Sequence, residues 1–244
     1  AGRGGPWLRS RARRHRRAAA QQGQPDGGAA QARGGRRLVP AGRQREEDRK
    51  RAAFYQDNAK RIEILSQSSD MDAYLKALDM EITLAPFDSM GRARVAQLIS
   101  KSNQFNLTTK RYSEAEVKAL EADGTYFTRQ IRLKDSLGDN GMISVVICNK
   151  QATTWEIDTW LMSCRVLGRR VEEAVLQEIV HHAAKENVQT LIGIYRPTAR
   201  NVIVKEHYQK LGFRLLHEAP DEQRWALNVQ EYSPKELPMT FKQN

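Results

Sequence analysis

Two short stretches hold the residue types and spacings best suited to chemistry. The first, Cys164-Arg165-Val166-Leu167-Gly168-Arg169-Arg170, follows the apolar run Trp160-Leu161-Met162-Ser163 and precedes a long helical pattern. A strand turning into a helix through a glycine leaves backbone N–H groups open to a ligand, an anion site suited to a pyrophosphate. Candidate ligand-binding positions there are Met162, Ser163, Arg165, Val166, Gly168, Arg169 and Arg170. One glycine in such a turn is common, and most such turns bind nothing. The second stretch, Asn201 to Phe213, reads as a helix capped by Gly212 that runs straight into a strand. Tyr208 lies about two helical turns after Asn201, so both side chains can face one groove. The alternative is that Asn201 caps the helix and Tyr208 packs in the core.

Other candidates are weaker. Glu156 and Asp158 lie two apart on a strand and share a face, as a general base or as paired surface charges. Trp155 and Trp160 fall on opposite faces by the same rule, so at least one packs in the core. Cys164 has no histidine near it in sequence and reads as structural. His181 and His182 point about 100° apart on a helix and make a poor metal pair. No metal is expected.

The elements that position these residues follow from periodicity. Glu46 to Leu65 is helical, with Ala52, Ala53, Tyr55, Ala59, Ile62 and Leu65 on one face. A short helix spans 70–78, a strand 80–85 and a helix 89–102, followed by a polar, turn-like stretch 103–112. Ser113 opens another helix, with Glu116 completing a capping box. Strands are expected at 125–133 and 142–148, with Gly138-Asp139-Asn140-Gly141 as their hairpin turn. A strand 155–163, a helix 169–186, a strand 190–195, a helix 201–211 and strands 213–218 and 224–229 complete the pattern. Strands in antiparallel succession followed by alternating helices and strands imply an α+β fold with a mixed sheet.

The two stretches together resemble the signature of the GCN5-related N-acetyltransferase (GNAT) superfamily. In that signature a strand leads into Arg/Gln-x-x-Gly-x-Gly/Ala, and a later segment reads Asn, Tyr seven on, then Gly-Phe. Arg165 and Gly168 match the first part, and Asn201, Tyr208, Gly212 and Phe213 match the second. Arg170 stands where the family has Gly or Ala, and would either crowd the pyrophosphate or pair with it. The resemblance implies a GNAT-like mixed, mostly antiparallel sheet flanked by helices. It also implies an acyl-CoA or phosphopantetheine thioester as donor, with Tyr208 protonating the departing thiolate and Asn201 beside the donor.

The phrases Asn103-Gln104-Phe105-Asn106-Leu107-Thr108-Thr109, Leu133-Lys134-Asp135 and Glu156 to Gly168 further resemble the C-terminal half of FkbH-like proteins of polyketide-type secondary metabolism. This resemblance covers about residues 46–230. In that family a haloacid-dehalogenase-like domain (HAD, subfamily IIIC) precedes the GNAT-like part and loads a glyceryl unit onto an acyl carrier protein. No Asp-x-Asp-x-Thr nucleophile motif occurs in this chain. The resemblance implies an acyltransferase transferring an acyl group other than amino-acyl. The alternative it implies is a silent GNAT-like module that docks an acyl carrier protein for a HAD partner.

Charge is concentrated at one end. The net charge is +11, and residues 1–50 hold 14 basic and 4 acidic residues, so the remainder is nearly neutral. Residues 1–45, rich in Arg, Gly, Ala, Gln and Pro, are expected to be a disordered basic tail, or a coding region read in the wrong frame. Nucleic-acid binding ranks below either reading. Segments 46–79, 80–230 and 231–244 are expected as helical linker, acyltransferase domain and C-terminal tail. Two cysteines, no CxxC spacing and no run of about 20 apolar residues point to a cytoplasmic protein, with no membrane partner.

Overall fold

The structure is a computed structural model and describes residues 56–242; the expectations for residues 1–55, including the first part of the helix from Glu46, lie outside them. Helix α1 is described over 56–67. Helix α2 spans Met71–Ala77, and its cap Asp70 accepts from the Ala73 amide. Strand β1 (Met80–Ala85) follows, then α3 (Arg92–Lys101) and α4 (Glu114–Ala122). Helix α4 starts where the sequence places it, since the Ser113 side chain accepts from the Glu116 amide and Glu116 reaches back to the Ser113 backbone. Then come β2 (Tyr126–Asp135), β3 (Gly138–Lys150), β4 (Thr154–Met162), a 3₁₀ turn Cys164–Val166 and α5 (Val171–Lys185). Strand β5 (Thr190–Tyr195), a 3₁₀ turn Val202–Val204, α6 (His207–Lys210), β6 (Arg214–Glu218), β7 (Gln223–Asn228) and β8 (Met239–Lys242) complete the order.

The eight strands form one sheet in the order β6-β7-β5-β4-β3-β2-β1-β8. The β4–β5 and β1–β8 pairs are parallel and the rest antiparallel. This is the mixed, mostly antiparallel sheet flanked by helices that the sequence predicts. One face packs α2 and α5 through Leu75, Val175 and Ile179. The other packs α3 and α4 through Val95, Leu98, Val117 and Leu120.

Four expectations are corrected. The β2–β3 turn lies at 136–137, because the Asp135 carboxylate accepts from the Leu137 and Gly138 amides and closes the turn early. Gly138 to Gly141 therefore lies within β3, where the register shifts. The segment 201–211 is two short pieces instead of one helix. The C-terminal tail includes β8, which pairs with β1 from Met80↔Met239 onward. Trp155 and Trp160 are both buried on one face. The cause is a bulge: Ile157 pairs with Cys148 and Thr159 with Ile147, leaving Asp158 extra. One extra residue reverses the alternation, so Trp155, Ile157, Trp160 and Met162 all face the same core.

Candidate functional site

Strands β4 and β5 pair from Thr154↔Thr190 to Ile157↔Gly193 and then part at the Asp158 bulge. At the open end of β4 is a cleft of about 750 Å³. Leu98, Phe105 and Met162 supply apolar wall, Ser163 and Cys164 the end of β4, and Lys101, Arg165 and Arg200 its cations. No carboxylate lines it among the described residues. The Arg165 guanidinium is fixed by Nε donating to Ser163 Oγ (3.1 Å) and Nη2 to the Asn140 carbonyl (3.3 Å).

The turn after β4 uses some of its own amides. Val166 N donates to the Ser163 carbonyl and Arg169 N to the Val166 carbonyl. Gly168 is exposed at φ +76°, the left-handed region that glycine enters without strain. Its amide has no acceptor among the described residues. Arg170 is also left-handed, at φ 60°, which explains the small residue that the family pattern favours there. Its guanidinium turns back onto Glu173 (2.9 and 3.1 Å), away from the cleft.

The predicted site residues divide. Met162, Ser163 and Arg165 line the cleft, with Arg200 beside Asn201. Val166 is buried in the core, and Arg169 is buried against Asp135 (2.9 Å). Asn201 is fully buried: its Nδ2 donates to the Asn106 and Arg196 carbonyls (2.9 Å each), and its Oδ1 accepts from the Thr198 amide and hydroxyl. Glu156 pairs with Arg224. Asp158 is held by Lys110 Nζ (2.7 Å) and the Tyr112 hydroxyl (2.5 Å). Burial, then the Asp158 carboxylate, push the Tyr112 phenol up to about 12. Each carboxylate is thus engaged by a cation in this arrangement.

Tyr208 lies in the core, 4.9 Å from Phe213 and 6.4 Å from Trp160 between ring centroids. Its hydroxyl is sealed from solvent and has no hydrogen-bond partner among the described residues. Burial raises its pKa well above the ordinary phenol value, with the Ile194 backbone acting in the opposite direction. It does not line the cleft.

The stretch 103–112, expected only as a polar turn, fills the gap between β4 and β5. Leu107 N donates to the Trp160 carbonyl (3.1 Å), Met162 N to the Phe105 carbonyl (3.1 Å) and Arg196 N to the Leu107 carbonyl (2.8 Å). Phe105 and Leu107 are buried there. Thr108 Oγ1 adds a bond to the Asp158 carbonyl (2.8 Å). Lys101, Gln104 and Arg200 are cleft residues that the sequence does not mark, because single polar residues in loops have no periodicity. Cys164, expected as structural, is exposed in the cleft, with Sγ 3.2 Å from Gln104 Oε1. Cys148 is buried.

No family model matches the chain, and no curated protein matches it. Three solved acetyltransferases are similar in structure. The ribosomal-protein-S18-alanine N-acetyltransferase of Escherichia coli is 14% identical over 61% of this chain and 94% of its own, with TM-score 0.47. Spermidine N-acetyltransferase of Vibrio cholerae, in complex with CoA and spermine, is 13% identical over 62% and 96%, with TM-score 0.48. The aminoglycoside acetyltransferase AAC(6')-Ib, in complex with coenzyme A, is 15% identical over 61% and 95%, with TM-score 0.45. At these identities and scores the fold of this chain stands on its own sheet topology. Among the described residues no group of His, Cys, Asp and Glu could hold a metal ion, and no helix is long and apolar enough to cross a membrane.

Proposed function

We propose that residues 80–230 act as a GNAT-type acyltransferase that takes its acyl group from a CoA or carrier-bound phosphopantetheine thioester. The observation that carries this is the cleft at the end of β4: three cations and an apolar wall, with no carboxylate among its described lining residues. Cations fit phosphate oxygens, and Leu98, Phe105 and Met162 fit an acyl or pantetheine chain. Transfer is direct. The acceptor's lone pair attacks the thioester carbonyl, the C–S bond breaks, and the thiolate takes a proton while the acceptor loses one to water. Tyr208 is the proposed proton donor. It is proposed on its match in spacing to the family tyrosine, and burial keeps the hydroxyl protonated. Because Tyr208 does not line the cleft, reaching a leaving sulfur requires the site to open.

A second reading has an observation of its own. The edge of β4 that an extended pantetheine arm would pair with is taken by Phe105 and Leu107. A domain closed in this way would dock an acyl carrier protein without turnover, the role that the FkbH-like resemblance implies, in a cytoplasmic polyketide-type pathway. The test is acyl transfer from acyl-CoA and from acyl carrier protein, with Tyr208→Phe beside the wild type. Acyl transfer falling about 10²–10⁴-fold with unchanged donor affinity supports the enzyme. Carrier binding with no transfer by the wild type supports the docking module.

A further inference from the structure

Strand β6 ends the sheet: one edge pairs with β7, and the other carries no strand among the described residues. It reads Arg214-Leu215-Leu216-His217-Glu218, and all five residues are exposed. Leu215 and Leu216 are 45% and 61% exposed, so two large apolar side chains that follow each other in the strand face water. An edge strand presents unpaired N–H and C=O groups as a template for another chain, and proteins commonly guard such edges with lysine or proline. Residues 214–218 contain neither. Their one irregularity is a bulge: Leu215 pairs with Trp225 and His217 with Arg224, so Leu216 is the extra residue and has no place in the ladder with β7.

The order of the residues says what fits this edge. Turned end for end about Leu216, the strand is complementary to itself: Leu216 meets the partner's Leu216, Leu215 meets the partner's His217, and Arg214 meets the partner's Glu218. Two-fold symmetry makes the charge pair twice in one interface. A register centred on Leu215 sets Arg214 against Leu216, and one centred on His217 sets Glu218 against Leu216, so only the Leu216 centre matches charge with charge. Opposite charges directly across a strand pair stabilise it, and like charges destabilise it. Within one chain Arg214 reaches Glu231 at 3.4 Å with both side chains exposed, a weak contact. Glu218 accepts from the uncharged Gln223 amide (2.7 Å). We propose that β6 is a docking edge for a second copy of this chain, paired antiparallel about Leu216 so that Arg214 of each copy faces Glu218 of the other. The two sheets then run on as one. No residue of β6 lines the cleft, so the pairing is independent of acyl transfer.

The test is sedimentation velocity of the full chain over a range of concentrations, with reductant present so that the exposed Cys164 does not cross-link copies. The expected result is a monomer–dimer equilibrium. Arg214→Glu and Glu218→Arg each set like charges opposite one another and should weaken the dimer about ten-fold or more. The double variant restores opposite charges and should return the dissociation constant to within about three-fold of the wild type. That recovery cannot arise inside one chain, where the substitution at 214 meets Glu231 whatever stands at 218. Leu216→Lys should leave a monomer whose melting temperature stays near that of the wild type, because the side chain is exposed. A wild type that stays monomeric at every concentration, a double variant that dimerises no better than either single one, or a dimer untouched by Leu216→Lys overturns the proposal.

Discussion

The ring of Tyr208 lies against the backbone of Gly193: a β-carbon at 193 would stand 2.3 Å from ring Cε1 and 2.5 Å from Cζ. Gly193 is also the last β5 residue paired with β4, opposite Ile157. The place where the two strands part is therefore built around this ring. Gly193→Ala should destabilise the domain by about 1–3 kcal/mol through overpacking, read from urea unfolding. Tyr208→Leu in the same chain should recover part of that loss. Additive effects would show that ring and backbone do not press on each other.

His207 gives a pH signature. It is buried 4.5 Å from Trp160 and 5.1 Å from Phe105 between ring centroids, and burial, with a smaller push from Lys210, lowers its pKa to about 3. Above pH 6.5 the imidazole is neutral folded or unfolded and contributes no pH dependence. Below that, the unfolded chain binds a proton that the folded chain does not, so stability falls by up to about 1.4 kcal/mol per pH unit. Urea midpoints between pH 6.5 and 4.5 should fall more steeply for the wild type than for His207→Phe. Parallel curves would mean that the folded protein protonates His207.

Asp135 ties α1, the β2–β3 turn and the turn after β4 to one carboxylate. Burial disfavours its ionised form, but Arg61, Asn140 and the Leu137 amide together hold its pKa below the ordinary value. Asp135→Asn removes the carboxylate that pairs with Arg61 and Arg169 and should cost about 3–5 kcal/mol in urea unfolding. A loss under 1 kcal/mol would show that solvent or another anion replaces the carboxylate.

Asn201 fastens the segment that fills the gap between β4 and β5. Asn201→Asp keeps the oxygen that accepts from Thr198 but removes the two bonds donated to Asn106 and Arg196. Hydrogen exchange at the Leu107 and Met162 amides should then speed up at least ten-fold, while core amides of β3 keep their protection. Unchanged exchange at both amides would assign the fastening to Lys110, Tyr112 and Asp158 instead.

Much of the fold was legible because it rests on local chemistry. The Ser113–Glu116 capping box and strand β5 appear at the expected residues. The Asp158 bulge was not legible: an inserted residue leaves the composition of a strand unchanged and alters only which neighbour faces which core. Strand β8 was missed because four residues at an edge give too short a pattern. Met162, Ser163 and Arg165, expected at a site from the strand, turn and helix order, line the cleft. Tyr208 was placed facing a groove with Asn201 on the assumption of one continuous helix. The chain instead winds as a 3₁₀ turn, with the Asn201 side chain spent on Asn106, Arg196 and Thr198, and Tyr208 turns inward.

The pairing of β8 with β1 has a kinetic side. Thr240 Oγ1 donates to the Met80 carbonyl across 160 residues of sequence, and the two strands run parallel. Contacts of such separation form late, because a long loop must close before they give anything back. During synthesis, β1 therefore has one bare edge until residues 239–242 emerge, and Ile82 and Leu84 sit on that strand. A released chain ending before residue 239 should be far more prone to aggregate or to bind chaperones than one that carries residues 239–242, although nearly every other contact of the sheet is available to both.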